Sequence, residues 1–152
     1  MLFRSGPLGT FFLREDSAKP IVLVASGTGF APIKSIIENA LHKGVTRPMV
    51  LYWGGRRPKD LYMDALARQW PIQYVPVVSD ALPEDSWTGR SGFVHRAVMQ
   101  DFSDLSGHQV YACGVPVMVD AARRDFIQQC KLPEEEFFAD SFTTQADLAS
   151  PK

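Results

Sequence analysis

The strongest pattern in the chain is a continuous apolar run, Ile21-Val22-Leu23-Val24-Ala25, with no alternation of apolar and polar positions. A strand of that kind suits the middle of a parallel sheet covered on both faces. Gly27 and Gly29 interrupt it, and Ile33, Ile36, Ile37, Ala40 and Leu41 follow at helical spacing, with His42 and Lys43 in the last turn and Gly44 as a stop. Met49 to Trp53 predicts a second buried strand ending at Gly54-Gly55. After a basic loop, Asp60 can cap a helix that turns Leu61, Ala65 and Leu66 inward. Ile72 to Val78 predicts a third strand. Pro76 cannot donate to a central ladder, which puts that strand at a sheet edge.

Ser79 to Gly92 is polar and punctuated by Pro83, Gly89 and Gly92, hence a loop, and Phe93 to Gln100 predicts a short helix. Val110 to Cys113 is the fourth strand; a helix from about Pro116 to Cys130 and a short fifth strand, Phe137 to Ala139, follow it. Strands alternating with helices predict an α/β domain of three layers, Rossmann-like, with a five-stranded parallel sheet. With strand 3 at an edge, the natural order is 3-2-1-4-5.

At 152 residues and 45% hydrophobic side chains, the chain has room for one ordinary domain. Its 16 basic and 17 acidic residues nearly cancel, leaving no global field for a polyanion, so neither nucleic acid nor a membrane surface is expected as a partner. Two cysteines, Cys113 and Cys130, make no secreted disulfide framework, and with His42, His95 and His108 they show no metal-ligand spacing. With no signal-peptide pattern at the start and no apolar run near the ~18 residues of a membrane span, the expected compartment is the cytoplasm.

The candidate chemistry lies at two strand-to-helix junctions. Ser26-Gly27-Thr28-Gly29-Phe30-Ala31-Pro32 brings a strand's carboxyl end to a helix amino terminus, whose free N–H groups suit a pyrophosphate; glycines admit the anion closely. A glycine pair by itself is equally what a plain βα turn carries, and G-x-G-x-x-G is absent. Cys113-Gly114-Val115-Pro116-Val117-Met118 is a second junction on the same sheet edge. The two loops would face one crevice where the strand order reverses, the place where open α/β sheets bind ligands. Taken alone, Cys113 reads as a small buried hydrophobe, and Cys130 has only that reading.

Together with Tyr52-Trp53-Gly54-Gly55-Arg56 and Asp60-Leu61, these junctions resemble, in order and spacing, the ferredoxin–NADP reductase superfamily. Within it they are most similar to NADH-dependent iron–sulfur flavoprotein reductases, including those that serve a deoxyhexulose dehydrase and aromatic oxygenases. The resemblance runs from about Gly6 to Phe142. It implies that Gly27, Thr28 and Gly29, with Pro32 behind them, lie along a dinucleotide's pyrophosphate and nicotinamide ribose. Gly114, Pro116 and Met118 would flank the nicotinamide, with Cys113 positioning the ring rather than attacking it. Tyr52 and Gly54 would bind the cofactor too, and Arg56 and Asp60 fall on the adenosine side; Arg56 and Asp60 are equally a solvated loop and a helix cap. NADP-using relatives commonly carry a serine then an arginine after strand 3. The Ser79-Asp80 found here implies NADH rather than NADPH, although Arg56, Arg57 and Lys59 lie near in sequence. Phe137, Phe138, Asp140 and Phe142 resemble the subgroup's carboxyl-terminal segment, in which Phe138 would approach the flavin–nicotinamide stack and Phe137 would pack on the sheet.

In this picture NADH passes a hydride to FAD and electrons go on to an iron–sulfur centre or a redox protein acceptor. The flavin signature of the superfamily's barrel and a cysteine set for a [2Fe–2S] cluster are both missing. The expectation is therefore a fragment: residues 1–15 as the end of a flavin-binding barrel, 16–142 as the NAD(P)-binding domain and 143–152 as a polar tail. An upstream FAD barrel, and a [2Fe–2S] domain beside it, would belong to the parent. The rival readings are a stand-alone module that senses the nicotinamide pool without catalysis and a flavodoxin-type phosphate-binding module. Gly6 to Leu13 speaks against the first, and the paired Gly-Thr-Gly and Cys-Gly junctions speak against the second.

Overall fold

A computed structural model describes residues 11–141, the side chain of Thr28 excepted. Ile21–Ser26 (β1) lies mid-sheet, with Met49–Gly55 (β2) on one side and Gln109–Gly114 (β5) on the other. Gln73–Val78 (β3) and Arg90–Ser91 (β4) extend the β2 side, and Phe137–Ser141 (β6) lies outside β5. All pairs are parallel, in the order β4-β3-β2-β1-β5-β6.

Successive residues of β1 point to opposite faces, and each face has its own core. Ile21, Leu23 and Ala25 pack with Ile33, Ile36 and Ile37 of Phe30–His42 (α1) and with Ala67 of Asp64–Gln69 (α2). Val22 and Val24 pack with Val94, Ala97 and Val98 of Val94–Asp101 (α3) and with Met118, Ala122 and Phe126 of Pro116–Gln129 (α4). This is the expected three-layer arrangement.

Four expectations need correction. The sheet has six strands, because Arg90 and Ser91 pair with Val77 and Val78 inside the stretch expected to be loop. The third strand is consequently not the outermost, although β4 stops short of Pro76, the residue that cannot donate. Asp60 caps no long helix. It closes the single turn Pro58–Asp60, its carboxylate accepting the N–H groups of Arg56 and Arg57 at 3.1 and 2.9 Å. Helix α2 starts only at Asp64 and turns Ala67 inward, with Ala65 exposed.

Phe11 and Leu13, assigned from the sequence to a barrel's end, are buried against the α1 face. The segment after them is tied to the amino-terminal edge of the sheet. Arg47 donates to the carbonyls of Arg14 and Lys19 and to Gln109 Oε1, while the Arg14 N–H reaches the Tyr111 hydroxyl at 2.9 Å. The expected barrel residues Gly6 to Thr10, Phe142 and the tail from 143 lie outside the described residues. Among the described residues, no helix is long and apolar enough to cross a membrane, and no cluster of His, Cys, Asp and Glu could hold a metal ion.

Candidate functional site: a cleft at the carboxyl edge of the sheet

The β1–α1 and β5–α4 junctions touch. A Cβ on Gly29 would stand 2.6 Å from the Cys113 carbonyl carbon and 2.8 Å from Gly114 Cα, so only glycine lets the two backbones approach this closely. A Cβ on Gly114 would strike the Ser26 side chain and stand 3.0 Å from Met118 Cε. The Val115 N–H also points at Ser26 Oγ, 3.4 Å away. These contacts fix the floor of a cleft of about 820 Å³ at the carboxyl ends of the strands. Gly27, at φ +52° with nothing within 4 Å of a Cβ position, leaves the mouth of the β1 loop open. No side chain caps α1 or α4; Pro32 and Pro116 have no N–H to offer and the Met118 N–H is taken by the Val115 carbonyl at 3.1 Å, so it is the turn leading into α1 that an anion can approach.

The opposite wall is held by charge. Arg56 Nε donates to Asp80 Oδ2 at 3.1 Å in an exposed pair, and Arg57 grips both oxygens of Asp85 at 2.8 Å. That hydrogen bonding lowers the Asp85 carboxyl to about 2. Close packing of Gly54 on Val94 and of Gly55 on Asp60 brings β2, the Pro58–Asp60 turn and α3 together here.

Of the residues the sequence singles out, Gly27, Gly54, Arg56, Asp60, Ser79 and Met118 line the cleft. Gly29 and Gly114 lie behind it as packing surfaces, and Asp80 reaches its rim through Arg56. Five assignments, Tyr52, Pro32, Pro116, Phe138 and Cys113, do not reach the wall. The Tyr52 ring is buried against Phe102 and its hydroxyl donates to Asp101 at 2.6 Å. Pro32 belongs to the first turn of α1, and Pro116 opens α4; neither is part of the lining. Phe138 lies partly buried on the α1 face, stacked on Tyr111 at 4.9 Å with the Arg14 guanidinium 4.6 Å from its ring. Phe137 packs edge-on to Phe126 on the other face, as expected.

Cys113 is fully buried, and burial, reinforced by Asp140, pushes its thiol up to about 12. It therefore stays un-ionised at neutral pH, which argues against a nucleophilic thiol here.

Apart from Met118, sequence reasoning missed the α3 and α4 side of the cleft. Phe93, 63% exposed at its mouth, precedes the first residue of α3. Behind it His95 is buried, with Nε2 3.3 Å from Asp125 Oδ2, and Arg124 Nε lies 3.0 Å from the other oxygen of that carboxylate. Val117, Ala121 and Arg124 all line the cleft. Their i, i+4, i+7 spacing marks one face of α4 and was the available signal.

The sequence profile of the oxidoreductase NAD-binding domain family matches residues 23–124. The CDP-6-deoxy-L-threo-D-glycero-4-hexulose-3-dehydrase reductase of Yersinia pestis is 49% identical over 90% of this chain and 42% of its own length. A probable flavin reductase of Aliivibrio fischeri is 36% identical over 90% of this chain and 59% of its own. The crystal structure of the Amycolatopsis cytochrome P450 reductase GcoB superposes with a TM-score of 0.76 at 33% identity, covering 91% of this chain and 43% of GcoB. The chain thus spans between two-fifths and three-fifths of these relatives.

Proposed function

The chain belongs to the oxidoreductase NAD-binding domain family, and we propose that its cleft receives NADH, in preference to NADPH, and presents the nicotinamide to a flavin held by another part of the parent protein. The observation that carries this reading is the meeting of two glycine junctions beneath an open cleft at the point where strand order reverses, flanked by two uncapped helix amino termini. Open backbone at Gly27, at an α1 amino terminus that no side chain caps, fits a pyrophosphate. When bound, the cofactors supply the hydride chemistry, from the reduced nicotinamide to FAD.

The residues of this chain bind and orient. Gly27 and the backbone of Thr28 face the pyrophosphate, and the neutral Cys113, with Gly114 beside it, backs the nicotinamide end. The β3–β4 end, lined by Arg56, Ser79 and Phe93, takes the adenosine. Phe93 offers an exposed ring against which a base can stack. The Asp80 carboxylate, paired with Arg56, suits a ribose hydroxyl and repels a 2′-phosphate.

In the parent protein, residues 1–15 lead from an FAD-binding barrel into this domain, and electrons pass to an iron–sulfur centre or a protein acceptor. The differing acceptors in the relatives' names, a dehydrase and a cytochrome P450, support an acceptor chosen outside this domain. Two buried free thiols suit the cytoplasm. The test is parallel calorimetric titration of the chain with NADH and NADPH. The expected result is binding of both with NADH tighter; retention of a flavin, with neither dinucleotide bound, would overturn the reading.

A further inference from the structure

We propose that Trp53 is a positioning residue for the dinucleotide: its indole N–H holds the Gly27 carbonyl and thereby turns the Thr28 N–H toward the bound pyrophosphate. The inference rests on the dinucleotide reading of the cleft and deepens it.

Trp53, in β2, is fully buried. Its ring lies flat on Phe30, the first residue of α1, with centroids 3.7 Å apart and planes 8° from parallel. Tyr62 closes edge-on at 5.3 Å, and Trp70 stacks near Phe30 at 5.8 Å. A ring packed this way cannot swing, so the direction of its N–H is set by the core. The partner is Gly27 O at 3.2 Å. Burial alone would accept a phenylalanine in this aromatic cluster. What the indole adds is a donor, which needs a partner once buried and finds it in the loop under the cleft.

The consequence follows from the planarity of the peptide bond. In a trans peptide unit the C=O of one residue and the N–H of the next point in opposite directions. With the Gly27 carbonyl committed to Trp53, in the core beneath the α1 face, the Thr28 N–H is turned away from that core. On the far side Gly27 borders the cleft with open space around it. Thr28 also lies in the first turn leading into α1, where N–H groups have no partner within the helix. Gly29, seated on the Cys113 carbonyl, blocks rotation of the loop from below. Trp53 therefore prepays the orientation of a peptide that a ligand would otherwise have to order.

The test uses the full chain with Trp53→Phe, which keeps an aromatic face, and Trp53→3-benzothienylalanine, in which sulfur replaces the indole N–H while ring shape and stacking persist. NADH and ADP-ribose affinities are measured by calorimetry, and the Thr28 amide proton is followed by NMR. The expected result is about three- to tenfold weaker binding of both ligands in both variants, the range for loss of one neutral hydrogen bond. The ligand-induced shift of the Thr28 amide should shrink, and the benzothienyl variant should melt only a few degrees below wild type, the cost of one lost hydrogen bond. Wild-type affinity in the benzothienyl variant overturns the proposal, even if Trp53→Phe binds poorly, since only stacking would then matter. Failure of the wild-type chain to bind either ligand overturns the dinucleotide reading itself and needs no variant to be seen.

Discussion

The floor and the far wall of the cleft are built from different physics. At the floor, Gly29 and Gly114 let the β1 and β5 backbones approach within the space of a missing Cβ, and the contact admits no alternative residue. At the far wall, Arg56, Asp80, Arg57 and Asp85 form ion pairs that are partly or wholly solvated. Exposed pairs contribute little to stability and rearrange at small cost. The floor therefore sets whether the cleft exists, and the wall sets what the cleft prefers.

The sharpest way to break that distinction is Gly29→Ala. A Cβ there collides with backbone, which cannot rotate aside as a side chain would. The expected loss is about 3 kcal/mol or more of stability, with dinucleotide binding lost as well, read by urea unfolding and calorimetry. Gly27→Val sharpens the same contrast. At φ +52° with open space, the strain should be about 1–2 kcal/mol, yet a branched side chain at the mouth should weaken NADH binding more than tenfold. If Gly27→Val instead cost as much stability as Gly29→Ala, the loop would be core rather than mouth.

The same difference explains what could be read in the sequence. The junction glycines, the apolar run of β1 and the helical spacing of α1 were legible because sterics and burial constrain single residues one at a time. The strand β4 was not: two residues, Arg90 and Ser91, carry no periodic signal and pair with the sheet only because β3 stands beside them. Tyr52 and Phe138 were assigned by motif position, but β2 and β6 turn them into the packed faces, a placement decided by register with neighbouring strands. His95 and Arg124 came to the cleft through α3 against α4, a contact between helices well separated in the chain. Asp60 shows the middle case: its capping chemistry was legible, and the object it caps was not.

At the far wall the expected effect is on selectivity, not existence. Asp80→Ala removes the carboxylate and releases Arg56 toward the cleft. NADPH affinity relative to NADH should rise about three- to tenfold, with the melting temperature unchanged because the pair is exposed. Arg56→Ala in the same background should reverse the gain. An unchanged NADPH to NADH ratio in Asp80→Ala would show that the 2′ position of the ribose lies elsewhere.

The smallest expected effect belongs to His95, which lines the cleft yet is held like the floor. Burial lowers its pKa, and Arg96 and Arg124 act in the same direction; Asp125 opposes them without prevailing. The Arg124 hydrogen bond holds Asp125 itself below the usual carboxylate range, so that carboxylate stays ionised throughout the range in which His95 titrates. With His95 less readily protonated in the folded chain, the unfolded chain binds the extra proton as pH falls through the ordinary histidine value near 6.5. Stability from this group is thus present above about pH 6.5 and is lost as pH drops toward the lower folded value. The melting temperature should fall between pH 7.5 and 5.5, and His95→Gln should flatten the slope. A wild-type profile that instead rises on acidification would mean that Asp125 prevails over burial and that the α3–α4 wall is held by an ion pair, as the Arg56–Asp80 wall is.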